Sequence, residues 1–447
     1  MKKQKDKDFH LRLESLSSIV TGSCNYCVLT LPNKQKVEFV VDCGYFFQDD
    51  AMEYNKSFPF KASRLSFVIA THYHGDHTGR LAMLYHNGYQ GAVYGSKYTV
   101  EYLKKKSISG YYEQKKVLNE NATIWDEKDS VSLINNLRDL EMNKPLQIHP
   151  NIEIVFFPNA HCRGAIMCRV KCTWEEQSIY VLFTGDYKEK NVIRKSWIPP
   201  EYKEEGPINV VTEATYGLQE KPEECFDKLV TKTIERNGNV LITAFGENMF
   251  EHSIMRIKQL KKKGMIDKNL PIYIEMNRTF EISQKVLSSM PSNVTFVRDM
   301  VEKTVAKYDK EQKIVILTER GGLEIFLPYM IQNENNMIIL TNHLPAQSNL
   351  RKILEIPRGD TFIYMNQKIA KLAQVCNTEE FSCHSYVEEI ERLVKSYNKV
   401  NAIFFGHGDK YAKRAMAGYT EGKLQIKSFV LKRGRAFRIS TTAVRYE

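Results

Sequence analysis

Long apolar runs are missing from this chain of 447 residues. Stretches such as Ile179–Phe183 and Met337–Leu340 fall far short of the roughly 20 residues that a membrane-crossing helix requires. No membrane partner is expected. The amino-terminal segment MKKQKDKDFH is charged and no sustained apolar segment follows it, so a secretory signal is not expected either. Cysteine is sparse. Nine residues, an odd number scattered from Cys24 to Cys383, are too few for a disulfide scaffold. Cys24 and Cys27 form a CxxC and Cys168 and Cys172 a CxxxC, but neither sits in a zinc-knuckle or redox pattern. Reduced thiols, buried or semi-buried, are therefore expected, with the cytoplasm as the compartment. Internal repeats and long low-complexity segments are absent as well.

What is present suffices for a large core, since 43% of residues are hydrophobic and 11% aromatic. The length exceeds what a single core usually organises, which argues for two domains. A net charge of +11 fits an anionic partner such as nucleic acid, and equally a solvated Lys-rich surface. The triplets Lys104–Lys106 and Lys261–Lys263 are placed at helix ends, where cations suit the helix dipole. One phrase returns along the chain: a short β-branched run followed by polar residues. It occurs in LSFVIATHYHGDH, IEIVFFPNAHCRGA, IYVLFTGDY, INVVTEATYG, NVLITAFGEN, KIVILTERGG, MIILTNHLP and NAIFFGHGD. Continuous apolar runs suit strands covered on both faces. Between them, Pro222–Arg236 reads as a helix with Phe226, Leu229, Val230 and Ile234 on one face. This alternation predicts α/β layers, whose ligands gather beyond the carboxyl ends of the strands.

The chemistry concentrates in Thr71-His72-Tyr73-His74-Gly75-Asp76-His77-Thr78-Gly79. Three imidazoles and a carboxylate within six residues, directly after a buried-type strand, would cost several kcal/mol if left unpaired in a core. A divalent metal compensates them, and His with Asp suits zinc or similar ions. One short segment cannot close two metal sites. Partners at other strand ends are His161 after IVFFPNA, Asp186 after VLFTG and His407 after AIFFG. The remaining histidines outside such settings (10, 86, 149, 252 and 343) are read as structural or surface residues.

An HxHxDH segment, a later isolated His, a Gly-Asp and an early Asp, here Asp42 in VVDCG, resemble the metallo-β-lactamase fold. Glu213 in VVTEATYG, His384 in EFSCHS and His407 in FFGHGD resemble three further motifs of its β-CASP subgroup. That subgroup contains the endonuclease of cleavage and polyadenylation, its archaeal relatives and RNase J. The resemblance runs over roughly residues 10 to 430. It implies two divalent metal ions, zinc by preference with manganese as the alternative. His72, His74 and His161 would hold one, and Asp76, His77 and His407 the other, with Asp186 bridging. Asp42 would orient a ligand or the bridging hydroxide. Glu213 would support His384, which is placed to protonate the leaving oxygen. A His at position 407 favours RNA over DNA in this family.

The expected architecture is α/β: a four-layer αββα metallo-β-lactamase domain (1–207 and 379–447) with an inserted α/β β-CASP domain (208–378). The expected activity is two-metal hydrolysis of RNA, endonucleolytic by preference, on single strands. A DNA nuclease, a 5′-3′ exoribonuclease and a non-cutting subunit are the rivals. A homodimer or a larger processing complex stays open. Two departures stand out. Thr318-Glu319-Arg320-Gly321-Gly322 replaces a small Ser/Gly-rich loop, and 341–350 keeps only a loose likeness to a Gly-rich phrase. The end at Glu447 is expected to leave a compact core without a further RNA-binding module. The basic residues Lys432, Arg433, Arg435 and Arg438 read either as phosphate contacts or as the charged edge of a hairpin.

Overall fold

Every apolar phrase forms a strand. In the computed structural model, which describes residues 9–17, 20, 22–47, 49–117, 124–276, 282–318, 321–341, 344 and 348–447, the first eleven strands run from residue 10 to residue 212. They are β1 (His10–Ser15), β2 (Asn25–Thr30), β3 (Lys36–Val41), β4 (Leu65–Ile69), β5 (Val93–Gly95) and β6 (Leu137–Asp139). Then come β7 (Leu146–His149), β8 (Ile152–Pro158), β9 (Ile166–Trp174), β10 (Gln177–Phe183) and β11 (Ile208–Thr212). The middle of the chain contributes β12 (Val240–Thr243), β13 (Ile272–Glu275), β14 (Val294–Val297), β15 (Ile314–Leu317) and β16 (Met337–Leu340). After them follow β17 (Thr361–Tyr364), β18 (Gln367–Ala370) and β19 (Gln374–Asn377). The last four are β20 (Val400–Phe405), β21 (Ser428–Val430), β22 (Ala436–Ile439) and β23 (Val444–Tyr446).

The chain divides into two compact units: Met1–Lys190 with Arg194–Gln219 and Cys383–Glu447, and Asn191–Ile193 with Glu220–Ser382. The first holds an eight-stranded sheet in the order β23-β22-β1-β2-β3-β4-β5-β6 and a seven-stranded sheet in the order β21-β20-β11-β10-β9-β8-β7. Their facing sides share one core, to which Phe39, Val41, Phe67, Phe156, Val181 and Phe404 contribute. Alternate residues point the other way, as a strand's two-residue period requires. Val40, Val68 and Val93 meet Leu84, Val100, Leu103 and Leu133 from the helices Leu81–His86, Lys97–Val117 and Glu127–Asn136. On the other sheet, Val155, Leu182 and Val210 meet Ile390, Leu393 and Met416 from the helices Val387–Lys395 and Lys410–Leu424. This is the four-layer αββα arrangement, and burial on both sheet faces explains the unbroken apolar phrases.

The second unit is built on a parallel sheet, β14-β13-β15-β12-β16-β19. Ile242, Ile316 and Ile339 face one layer, with Phe226, Phe250 and Ile254. Leu241, Val315 and Ile338 face the other, with Leu323, Phe326 and Leu327. An α/β insertion is thus present, as expected. Among the described residues, no helix is long and apolar enough to cross a membrane.

Several local expectations need correction. The boundaries fall after Gln219 and Ser382 rather than after 207 and 378. Ile208–Thr212 pairs in parallel with β10 and with β20, which fixes it in the first unit. The helix expected from Pro222 spans Phe226–Glu235, with Cys225 as its N-cap. Lys104–Lys106 lie in the middle of the Lys97–Val117 helix, so the dipole does not account for them. Lys261 and Lys262 do close their helix, with Lys263 as its C-cap. LKRGRAFRI is not a hairpin: β21 and β22 belong to different sheets, and β22 is paired on both sides, by β1 and β23. Arg433 donates to the Leu16 carbonyl and lies over the Tyr54 ring. All nine cysteines are free thiols, six of them buried. Glu319, Arg320, His343 and residues 342, 345, 346 and 347 lie outside the described residues.

Ile242 sits on central strand β12 with no exposed surface. Ile242→Ala is expected to destabilise the second unit by about 2–5 kcal/mol, the cost of a collapsed-resistant core cavity. Urea denaturation measures it. A loss below about 1 kcal/mol would contradict the packing described here.

Candidate metal centre

The THYHGDH segment leaves β4 at its carboxyl end and is tied down through its backbone. Ser23 N donates to Asp76 O (2.8 Å), Cys43 N to His77 O (2.7 Å) and Tyr45 N to Gly75 O (2.9 Å). The approach is so close that only glycine fits at position 44. A Cβ there would stand 1.6 Å from the Asp76 carbonyl oxygen. Two of the expected site residues, Asp42 (φ +63°) and His407 (φ +27°), occupy the left-handed backbone region. For non-glycine residues that conformation costs energy and persists only when its surroundings impose it.

Hydrogen bonds fix which nitrogen of each imidazole points inward. Asp42, fully buried, accepts from Thr71 N (2.8 Å), from Thr71 Oγ1 (2.9 Å) and from His77 Nδ1 (2.8 Å). Because Thr71 Oγ1 donates to Asp42, it accepts from His72 Nδ1 at 3.1 Å. His161 Nδ1 donates to the Cys383 carbonyl at 2.9 Å. Each of these rings therefore carries its hydrogen on Nδ1 and turns the Nε2 lone pair toward the centre. There the Nε2 atoms of His72 and His161 lie 3.0 and 3.2 Å from His74 Nδ1. One hydrogen on His74 satisfies one of the two; a cation among the three nitrogens satisfies all.

A second group forms beside the first. His407 Nε2 lies 3.2 Å from Asp76 Oδ2, and His77 Nε2 lies 4.0 Å from the same oxygen. Asp186 faces both groups. Its Oδ1 is 3.2 Å from His77 and 3.6 Å from His407, while its Oδ2 is 3.8 Å from His72 and 3.6 Å from His161. Within this buried cluster His77 Nε2 and Asp186 Oδ1, though 3.2 Å apart, are not well aligned for a hydrogen bond and have no other partner among the described residues. Orphaned buried polar atoms are costly, and divalent metal binding at these donors would meet the deficit. The residues present fit divalent metal binding.

The charge balance agrees at His72 and His74. At His77, burial is outweighed by Asp186, Asp42 and Asp76, which raise its pKa well above the ordinary value, so these carboxylates call for positive charge. Burial, reinforced by the neighbouring imidazoles, holds His72 well below its ordinary pKa, and burial pushes His74 down to about 4. These rings are neutral, as metal ligands must be. Burial alone would raise the Asp76 and Asp186 carboxyls, but the surrounding histidines outweigh it and hold both low.

Next to the two groups stands an imidazole of another kind. His384 Nδ1 donates to Glu213 Oε2 at 2.8 Å, and Glu213 Oε1 accepts from Tyr187 N at 2.6 Å. Burial opposes protonation of His384, but the Glu213 carboxylate, with Cys383 and Asp186, raises its pKa well above the ordinary value. Its side chain keeps 20% of its surface exposed, against 1% for Glu213.

All the expected site residues (Asp42, His72, His74, Asp76, His77, His161, Asp186, Glu213, His384 and His407) lie in the first unit and converge on this one place. Of the other histidines, His86 pairs with Asp129 at 2.9 Å and His252 is buried against Phe381.

Sequence reasoning passed over some participants. The Thr215 hydroxyl donates to Glu213 and lies 3.0 Å from His407 Nδ1 and 3.3 Å from His384 Nδ1. Buried Lys188 donates to the His384 carbonyl (2.9 Å) and to Glu389 (2.8 Å). The thiols of Cys162 and Cys383 fall within reach of the ligand groups around His161. Thr215 and Lys188 follow Glu213 and Asp186 by two residues, and that proximity was the available signal.

Comparison with known proteins agrees with this geometry. Residues 21–146, which include Asp42 and the THYHGDH segment, match the family model of the metallo-beta-lactamase superfamily. The chain is 26% identical over 437 residues to the transcription termination factor FttA of Methanothermobacter thermautotrophicus, covering 88% of this chain and 66% of that protein. It therefore spans about two thirds of that relative's length. It is 22% identical over 422 residues to the RNase J-like protein of Methanocaldococcus jannaschii, covering 90% and 94%. It is 27% identical over 296 residues to the ribonuclease TTHA0252 of Thermus thermophilus, covering 63% and 61%.

Asp42→Asn replaces an acceptor with an amide that competes to donate to His77 Nδ1. Loss of such an outer partner typically weakens metal affinity by about 10- to 100-fold. Competition with a chelator, read by elemental analysis, is expected to give that loss. Unchanged metal retention would remove Asp42 from the supporting role. Gly44→Ala is expected to lower metal content as well, because the Asp76 backbone must move to admit the methyl group.

Proposed function

We propose that this chain, a metallo-β-lactamase-superfamily protein with the added domain of the β-CASP group, is a metal-dependent ribonuclease that cuts single-stranded RNA internally. The observation that carries the reading is the pairing of His384 with Glu213 at 2.8 Å beside two ligand groups that share Asp186. Hydrolysis of a phosphodiester needs an activated water, charge to offset the developing negative oxygens, and an acid for the leaving alkoxide. Two divalent cations, held by His72, His74 and His161 and by Asp76, His77 and His407 with Asp186 between, would supply the first two. The imidazole and carboxylate donor set favours zinc, with manganese as the alternative.

The rest falls to the protein's own groups. Glu213 holds the Nδ1 hydrogen of His384, so the ring is fixed in orientation and Nε2 is the atom that delivers a proton to the leaving oxygen. Lys188 anchors the same residue from behind, through the His384 carbonyl. Asp42 acts one step further out, holding His77 and, through Thr71, His72. Relatives named as ribonuclease and RNase J-like support RNA as the substrate.

Purified protein loaded with zinc or manganese is expected to cut 5′- and 3′-labelled single-stranded RNA into internal fragments, to leave matched DNA intact and to stop on addition of EDTA. His384→Ala is expected to keep its metal and lose about 10²- to 10⁴-fold in kcat, the contribution of a positioned general acid. Failure to cut either polymer with several metals would remove the nuclease reading. Single nucleotides released in order from the 5′ end would replace internal cutting with exonuclease action.

A further inference from the structure

The metal-binding turn carries an aromatic residue between two of its ligands. Tyr73 lies between His72 and His74, and its ring centroid is 4.8 Å from that of His74 at an interplanar angle of 77°. Two further tyrosines from the helix Lys97–Val117 gather against it: Tyr102 at 4.3 Å and Tyr98 at 5.6 Å. The guanidinium of Arg163, two residues beyond His161, lies 4.1 Å above the Tyr98 ring. The group is thus tied at both ends to loops that carry ligands.

These three rings are only half-buried and stand outside the hydrophobic core of their unit. Beside them opens a cavity of 270 Å³, lined by Tyr73, Tyr102, Lys106, Ser109, Glu113 and Trp125 among others. That volume lies near the lower end of small-molecule pockets, roughly 300–1,000 Å³, and suits one planar ring system with polar edges. Lys104, Lys105 and Lys106 are exposed on the same helix. Their mid-helix position leaves them without a capping role.

Aromatic faces interleaved with lysines are what a protein uses to hold a single strand without reading its sequence: bases stack on the rings and cations follow the phosphates. We infer that Tyr73 and Tyr102, with Lys106 at the mouth, form a stacking subsite for one base of the RNA strand next to the phosphate being cut. The inference rests on the ribonuclease reading and adds to it a residue-level account of how the strand is held. Tyr102 is a positioning residue here and touches no reacting atom.

The test is a two-by-two cycle on metal-loaded, full-length protein. Wild type and Tyr102→Ala are each given an RNA with all bases and a set of RNAs with one abasic residue moved along the strand. For wild type, an abasic residue at one position beside the cut is expected to lower kcat/KM by about 5- to 150-fold, the loss of a single base stack. Tyr102→Ala is expected to show a loss of that size on intact RNA and indifference to the abasic residue at that position. Tyr102→Phe, which keeps the ring, should behave as wild type. Tyr102→Leu, apolar and without a π face, takes the place of the alanine variant if that one does not fold.

Full abasic sensitivity retained in the variant, or unchanged kcat/KM on intact RNA, overturns the subsite while RNA cutting by wild type leaves the nuclease reading intact. Wild type that cuts no RNA overturns both.

Discussion

Buried imidazole lone pairs that point at one another are a debt the polypeptide cannot settle from its own atoms. His72, His74 and His161 bring three ring nitrogens within 3.0–3.2 Å contacts, and the outer nitrogen of two of them is already committed to a hydrogen bond. Hydrogen bonds from the surrounding strand ends hold that arrangement in place. Asp42 fixes two rings, directly and through Thr71, and a carbonyl from the far end of the chain fixes a third. The strained backbone at Asp42 and His407 has the same origin, because a side chain must leave the end of a strand in a direction that ordinary extended backbone does not provide.

Two packed sheets provide a row of such ends. β3 and β4 run parallel in one sheet, and β10, β11 and β20 run parallel in the other, with β8 antiparallel to β9 and so aligned with β10. Their carboxyl ends deliver Asp42, the THYHGDH segment, Asp186, Glu213, His407 and His161. Rigid strands set positions, and the loops beyond them need only a few residues to reach the centre. This division of labour lets close-packed apolar layers support a polar centre without admitting polar groups into either core.

Much of this was legible in the sequence because the responsible forces are local. An unbroken β-branched run declares a strand covered on both faces, and Val40 and Phe39 do face different layers. Clustered His and Asp after such a run declare a metal, since no apolar core tolerates them otherwise. The rest was illegible because it depends on contacts distant in sequence. Ile208–Thr212 reads as a strand from any viewpoint, but its pairing between β10 and β20, the latter nearly two hundred residues later, is what assigns it to the first unit. Lys188 and Thr215 carry no pattern of their own. Their roles arise where the chain brings His384 back. The basic segment 432–435 resembled a hairpin turn, yet it carries the chain from one sheet to the other.

The order in which the chain supplies its parts has a consequence for synthesis. Strand β1 (His10–Ser15) pairs with β22, which begins only at residue 436. His407 and His384 follow the whole second unit. Long-range pairing of this kind closes slowly and last. A chain made only through the second unit therefore already carries six of the seven expected ligands and lacks His407, while β1 still presents an unpaired edge. Until the chain beyond the second unit supplies His384 and His407, neither the Glu213 pair nor the second ligand group is complete.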